Sequence, residues 1–257
     1  MIKNLGTLIL FGLCLVQGIN SWLIIESEGN GLQPWKISTP NQLCKTKWFP
    51  EDWKLYQSKN WKSSYSNKFG GYHVQTMNVK GTPFPYYRYD ITFTNISVDF
   101  LYRIEAPEYP IRVKNWIPQL ISGKIVECKH PDKEQCPQWM SFSFSPTPFK
   151  NRDVCQVYCP INRTIPDGKM IQVAFRTVPF ENCQSATNKT LIHMGEHIAK
   201  FFKIEEDQIH YTYIGMENPN GNFPVWFMKA AYPWAYKSHI ANFIDYVSNH
   251  GGVVVKT

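Results

Sequence analysis

The sequence predicts an α+β protein in which an antiparallel, β-rich, sandwich-like portion (residues 22–165) leads into a βαββαβ ferredoxin-like unit (residues 168–257), braced by disulfides. Three observations predict it. Between Tyr72 and Arg176, short alternating runs recur between turns containing Pro, Gly or Asp, the pattern of antiparallel strands. After Cys183 the hydrophobic period changes to that of helices interleaved with strands. Five of the seven cysteines lie between Cys128 and Cys183, with Cys44 alone upstream.

The N-terminus sets the expected compartment. Lys3, the apolar block Leu5–Val16 and the exit Gln17–Ser21 have the form of a secretory signal peptide over residues 1–18, with a cut after Ser21 as the alternative. The block is shorter than the roughly 20 residues a membrane span needs, and no later stretch is apolar enough for one. A secreted, extracellular glycoprotein is therefore expected, with sequons at Asn95, Asn162 and Asn188 as its sugar sites. Loss of Cys14 with the leader leaves an even set: Cys44, Cys128, Cys136, Cys155, Cys159 and Cys183. In an oxidising compartment these read as three disulfides. Cys128–Cys136 would close a hairpin. Cys155 and Cys159, roughly 13 Å apart on an extended run, cannot join each other. One is expected to reach Cys183 and the other Cys44. The absence of any CxxC pair argues against structural zinc.

In chain order, residues 22–70 carry poor periodicity and read as loops with short strands. Tyr72–Val79 and Tyr86–Thr94 alternate, the latter with Tyr87, Tyr89, Ile91 and Phe93 on one face. Val98–Ile104, Ile121–Val126, Trp139–Ser145 and Met170–Arg176 are further strand predictions. Leu191, Met194, Ile198, Phe201 and Phe202 recur at helical spacing and predict a helix over 191–203, capped by Thr187 or Thr190. Strands follow at Gln208–Ile214 and, after the turn Asn218–Gly221, at Phe223–Ala230. Ile240, Phe243, Ile244 and Val247 mark a second helix, stopped by Gly251-Gly252, and Val253–Val255 closes the unit. This order resembles that of SEA-type extracellular modules over about 90 residues, without the Gly-Ser self-cleavage sequence of that family.

Two constellations could carry function. His193-Met194-Gly195-Glu196-His197 fits the H-x-x-E-H pattern of inverted zinc peptidases. On a helix, His193 and His197 would share the metal, Glu196 would activate its water, and Glu217, Asp245, His239 or His250 would complete the site. The same wheel puts His193, Glu196, His197 and Lys200 on the polar face, which points at water, so zinc hydrolysis is the alternative reading and no cofactor is the first. The second constellation interleaves indoles and bases: Trp48, Trp53, Lys54, Trp61 and Lys62. Indoles stack on sugar rings and ammonium groups pair with anions, so this surface suits a glycan, polyanion or protein partner. The formal charge of +7 is spread rather than striped, which excludes nucleic acid as the natural partner. No G-x-S-x-G and no phosphate-binding glycine loop is present. The expected function is thus a non-enzymatic extracellular binding or adhesion module.

Overall fold

The computed structural model describes residues 43–67, 70–126, 136–143, 150–183, 192–220 and 225–255, apart from the side chains of residues 65–67, 180, 227–231 and 234. The expected leader, Cys128 and Asn188 lie outside the described residues. Helix α1 (Trp48–Gln57) precedes strands β1 (Lys62–Asn67), β2 (Tyr72–Met77) and β3 (Tyr86–Thr94). Helices α2 (Val98–Glu105) and α3 (Tyr109–Arg112) lead into β4 (Leu120–Ile125) and β5 (Gln138–Phe142). Then come β6 (Arg152–Ile165), β7 (Gly168–Thr177), the short β8 (Ile192–His193), β9 (Gly195–Ile204) and β10 (Ile209–Asn218). Helix α4 (Val225–Ser248) and β11 (Val253–Val254) complete the chain.

These strands form one sheet in the order β1-β2-β3-β10-β9-β7-β6-β5-β4, with β11 beside β3 and β8 beside β6. All pairings are antiparallel except β6–β8. The expected sandwich followed by a ferredoxin-like unit is therefore wrong. β10 lies against β3, so residues from both sides of the 165/168 boundary share one sheet, and that boundary falls within the β6–β7 hairpin.

The inner face of the sheet packs against α2, α3 and α4. Tyr87, Tyr89, Ile91 and Phe93 of β3 join Ile198 and Phe202 of β9 and Tyr211 and Tyr213 of β10 there. Tyr232, Tyr236, Ile240, Phe243 and Val247 of α4 recur every three or four residues and form the stripe that covers them. Pro233 lies within this helix. Gly251, at φ +94°, ends it in the left-handed conformation that glycine adopts without steric cost. On the opposite face, α1 and the segment after it cover the sheet: Trp48 and Phe49 near β6 and β7, and Trp53, Tyr56 and Trp61 over Phe201 and Ile214.

Four segments depart from the sequence reading, each for a local reason. Val98–Glu105 is a helix, not a strand. Ser97 caps it, its Oγ accepting from the Phe100 amide at 3.1 Å, and Leu101, Ile104 and Glu105 form its buried side. Residues 192–204 are strands, not a helix. β9 is buried on both faces, so its apolar residues form a run whose period does not distinguish helix from strand. The predicted strand at 223–230 is instead the start of α4 from Val225 onward. Finally, α1 occupies part of a region read as loops; Pro50 sits in its first turn, where a missing N–H costs nothing.

Candidate functional site

β9 and β10 place a line of polar side chains on an otherwise apolar inner face. With period two, Glu196, Ile198, Lys200 and Phe202 point inward from β9, while Ala199 and Phe201 take the outer face. The register sets Tyr213 opposite Lys200 and Glu217 opposite Glu196.

Lys200 is fully buried and paired. Its Nζ lies 2.8 Å from Glu105 Oε2 and donates to the Glu105 carbonyl oxygen, also at 2.8 Å. It also sits 3.5 Å from the centre of the Tyr109 ring and 4.5 Å from that of Phe175. The Tyr211 hydroxyl donates to Glu105 Oε2 at 2.6 Å. Burial lowers the Lys200 pKa, and Glu105 opposes that shift. The cation is thus tied to the end of α2 by a charge-assisted network whose partners all come from within the fold.

Two inward positions back along β9 the chemistry differs. Glu196 is 8% exposed, and its Oε2 has no hydrogen-bond partner. Burial, and next the Glu217 carboxylate facing it, push its pKa up to about 8, against a smaller opposing pull from Lys200. Burial likewise raises Glu217, while tyrosine hydroxyls favour its charged form. Of these, Tyr236 donates to Glu217 Oε1 at 3.1 Å and lies 3.5 Å from the Tyr213 hydroxyl. Tyr232 also turns its hydroxyl toward Glu217, close enough to favour its charged form but without a well-aligned hydrogen bond. Tyr87 stacks on Tyr236, and Tyr89 on Tyr213. His239, on α4, is driven down to about 3 by burial and then by the charge of Lys200, so it is neutral at physiological pH. Glu217 and His239 are half-buried.

The zinc constellation is taken apart by this fold. His193 and His197 lie on strands, and each is held by a different carboxylate: His193 Nδ1 by Asp153 Oδ1 at 2.7 Å, His197 Nε2 by Asp52 Oδ1 at 2.8 Å. His197 Nδ1 also meets the Tyr86 hydroxyl at 2.9 Å. Glu196 points to the opposite face from His197. Among the described residues, no group of three or more His, Cys, Asp or Glu is placed to hold a metal ion. Of the proposed third ligands, Glu217 and His239 belong to the interior described above, whereas Asp245 and His250 are exposed near the end of α4.

The indoles of the aromatic-basic segment turn toward the sheet. Trp48 is buried, with the Arg176 guanidinium 5.5 Å from its ring centre. Trp53 stacks on Tyr56, and the Trp61 indole N–H donates to the Leu55 carbonyl at 3.0 Å. Lys54 and Lys62 are exposed. Cys44 bonds to Cys159 and Cys155 to Cys183, and Cys136 is also disulfide-bonded. Asn95 and Asn162 are exposed.

The sequence reading missed the interior cluster. It placed Lys200 on a solvated helix face and gave Glu105 and the tyrosines no role. The signal was available in alternation: Glu196, Ile198, Lys200 and Phe202 at period two, beside Tyr211 and Tyr213.

Comparison with known proteins places the fold. No family model matches the chain, and no curated protein matches it. Solved structures do. Human StAR-related lipid transfer protein 5 aligns over 80% of this chain and 95% of its own, with TM-score 0.65 and 15% identity. Human STARD10 aligns over 80% and 82%, with TM-score 0.57 and 17% identity. A STAR-related lipid transfer protein from Xanthomonas axonopodis aligns over 73% and 99%, with TM-score 0.54 and 17% identity. At such identities the likeness is one of fold: a long antiparallel sheet gripping a C-terminal helix. It overturns both functional readings taken from the sequence, the extracellular adhesion module and the zinc hydrolase. The labels of secreted glycoprotein and binding module are withdrawn with them; of that set, the disulfides are present in the structure. Among the described residues, no helix is long and apolar enough to cross a membrane.

Proposed function

We propose that this protein binds a lipid-class ligand between the inner face of the sheet and α4, and carries it between membranes. One observation bears most of the weight. Charged groups stand on the inner face of the sheet under α4: Glu196 and Glu217 face each other across β9 and β10, and Glu196 Oε2 has no hydrogen-bond partner. Around them lie Tyr87, Tyr232, Tyr236 and aliphatic side chains, and an apolar setting with a few convergent polar groups is the make-up of a small-molecule site. The fold neighbours, described as lipid-transfer proteins, supply the ligand class.

The test uses the full chain. Protein purified from its expression host is denatured and extracted with organic solvent, and the extract is analysed by mass spectrometry. The refilled protein is then assayed for transfer of a fluorescent phospholipid or sterol between vesicles. Near-stoichiometric lipid and protein-dependent transfer are expected. An empty extract together with no saturable lipid binding would overturn the reading.

A further inference from the structure

Among the described residues several buried polar atoms lack a partner, and two of them stand beside one carboxylate, that of Glu217. Glu196 Oε2 is one, on the strand position directly opposite Glu217. The Tyr232 hydroxyl is the other; the residue is 9% exposed and faces Glu217 from α4. A buried polar group left unpaired destabilises the fold, so two in one place suit a ligand that completes them.

Resting on the lipid-ligand reading above, we propose that the polar end of the ligand is a primary amine, bound as its ammonium between Glu196, Glu217 and Tyr232. The donor count favours it. A primary ammonium carries three N–H donors and no acceptor. The site offers the free Glu196 oxygen, the Glu217 carboxylate and the Tyr232 oxygen, all of which can accept. The charge balance also favours it. Facing carboxyls at cross-strand distance repel each other when ionised, and a cation placed between them relieves that repulsion. Lys200 is engaged by Glu105 through both its carboxylate and its carbonyl and exerts only a minor pull on Glu196. His239 is neutral. An ammonium brings a positive charge between the two carboxyls. A phosphate or carboxylate head would instead add a second negative charge beside Glu217, and a hydroxyl could form hydrogen bonds without matching the charge.

The experiment displaces a fluorescent hydrophobic probe from the full chain with a matched series: stearylamine, stearyl alcohol, stearic acid and trimethylstearylammonium. Stearylamine is expected to displace at a concentration at least about tenfold below the alcohol and the acid, a ratio in Kd that one charged contact readily provides. The trimethylated analogue keeps the charge but has no N–H donor, and is expected to lose most of that advantage. In Glu196→Gln/Glu217→Gln the amine-to-alcohol ratio should fall toward one. Should that double variant fail to fold, Tyr232→Phe provides the second arm, with a severalfold loss of the ratio. Equal displacement by amine and alcohol in the wild type overturns the amine assignment while leaving lipid binding in place. So does a preference that survives the double substitution, or a preference for stearic acid. If no member of the series displaces the probe and no lipid co-purifies, the lipid reading itself fails, and the amine assignment with it.

Discussion

Replacing Glu196 by Gln tests the electrostatics of the interior without any ligand. Gln has the shape of the protonated acid and cannot ionise. Burial and the facing Glu217 raise the Glu196 pKa from 4.5 to about 8, a rise of about 3.5 units. At about 1.4 kcal/mol per unit, ionising this carboxyl inside the folded chain costs up to about 5 kcal/mol more than in the unfolded chain. The sign follows from proton counting. Between the two pKa values the folded chain holds a proton that the unfolded chain has lost. The contribution is therefore complete below about pH 4.5, declines as pH rises to about 8 and is flat beyond. Urea denaturation followed by tryptophan fluorescence, at about pH 5 and about pH 9, reads the difference between variant and wild type. Near pH 5 the two should agree within about 1 kcal/mol; near pH 9 the variant should be more stable by several kcal/mol. A shallower decline should persist in the variant, because Glu217 is also raised. Parallel pH profiles for the two proteins would refute the assignment of Glu196 as the buried, proton-holding acid.

Three further outcomes follow from the same structure. Lys200→Met leaves the Glu105 carboxylate buried with only the Tyr211 hydroxyl, and should cost about 3–5 kcal/mol by urea denaturation; adding Glu105→Gln should restore much of that loss. Gly123→Ala places a methyl group 2.0 Å from the Pro110 carbonyl oxygen, where α3 crosses β4, and should cost about 1–3 kcal/mol in the same assay. Removing the Cys155–Cys183 bridge by a double Ala substitution frees a connection of 28 residues, and should lower stability by about 4 kcal/mol, less any structure the unfolded chain retains.

Much of the strand content could be read from alternation, and the reason is visible in β3. Arg88, Asp90, Thr92 and Thr94 are half-buried between the buried Tyr87, Tyr89, Ile91 and Phe93, so the two faces differ in sequence as they do in burial. β9 and most of β6 are covered on both faces, and their residues carry no such contrast. For β9 the consequence was a helix drawn through a strand, and with it the apparent gathering of His193 and His197. The interior site was hidden for a related reason. Lys200, Glu196 and Glu105 are charged residue types, which by composition belong at the surface. Only the placement of α2 and β9 on the same side of the sheet turns them into interior groups, and those elements are about a hundred residues apart in sequence. The second half of the last helix's stripe, from Ile240 on, and its glycine stop needed no such distant partner and were readable locally.

The order of the strands has a consequence for how the chain is made. The β9–β10 hairpin fills the gap between β3 and β7, two strands from earlier in the chain that do not touch each other. Until residues 195–218 have left the ribosome, the nascent polypeptide carries two half-sheets, each with a long, unpaired and hydrophobic border. Such borders recruit strands from other chains, so the interval before that hairpin inserts is when this protein is most prone to aggregate and most dependent on chaperones. A polypeptide ending before Gly195 would never leave that state.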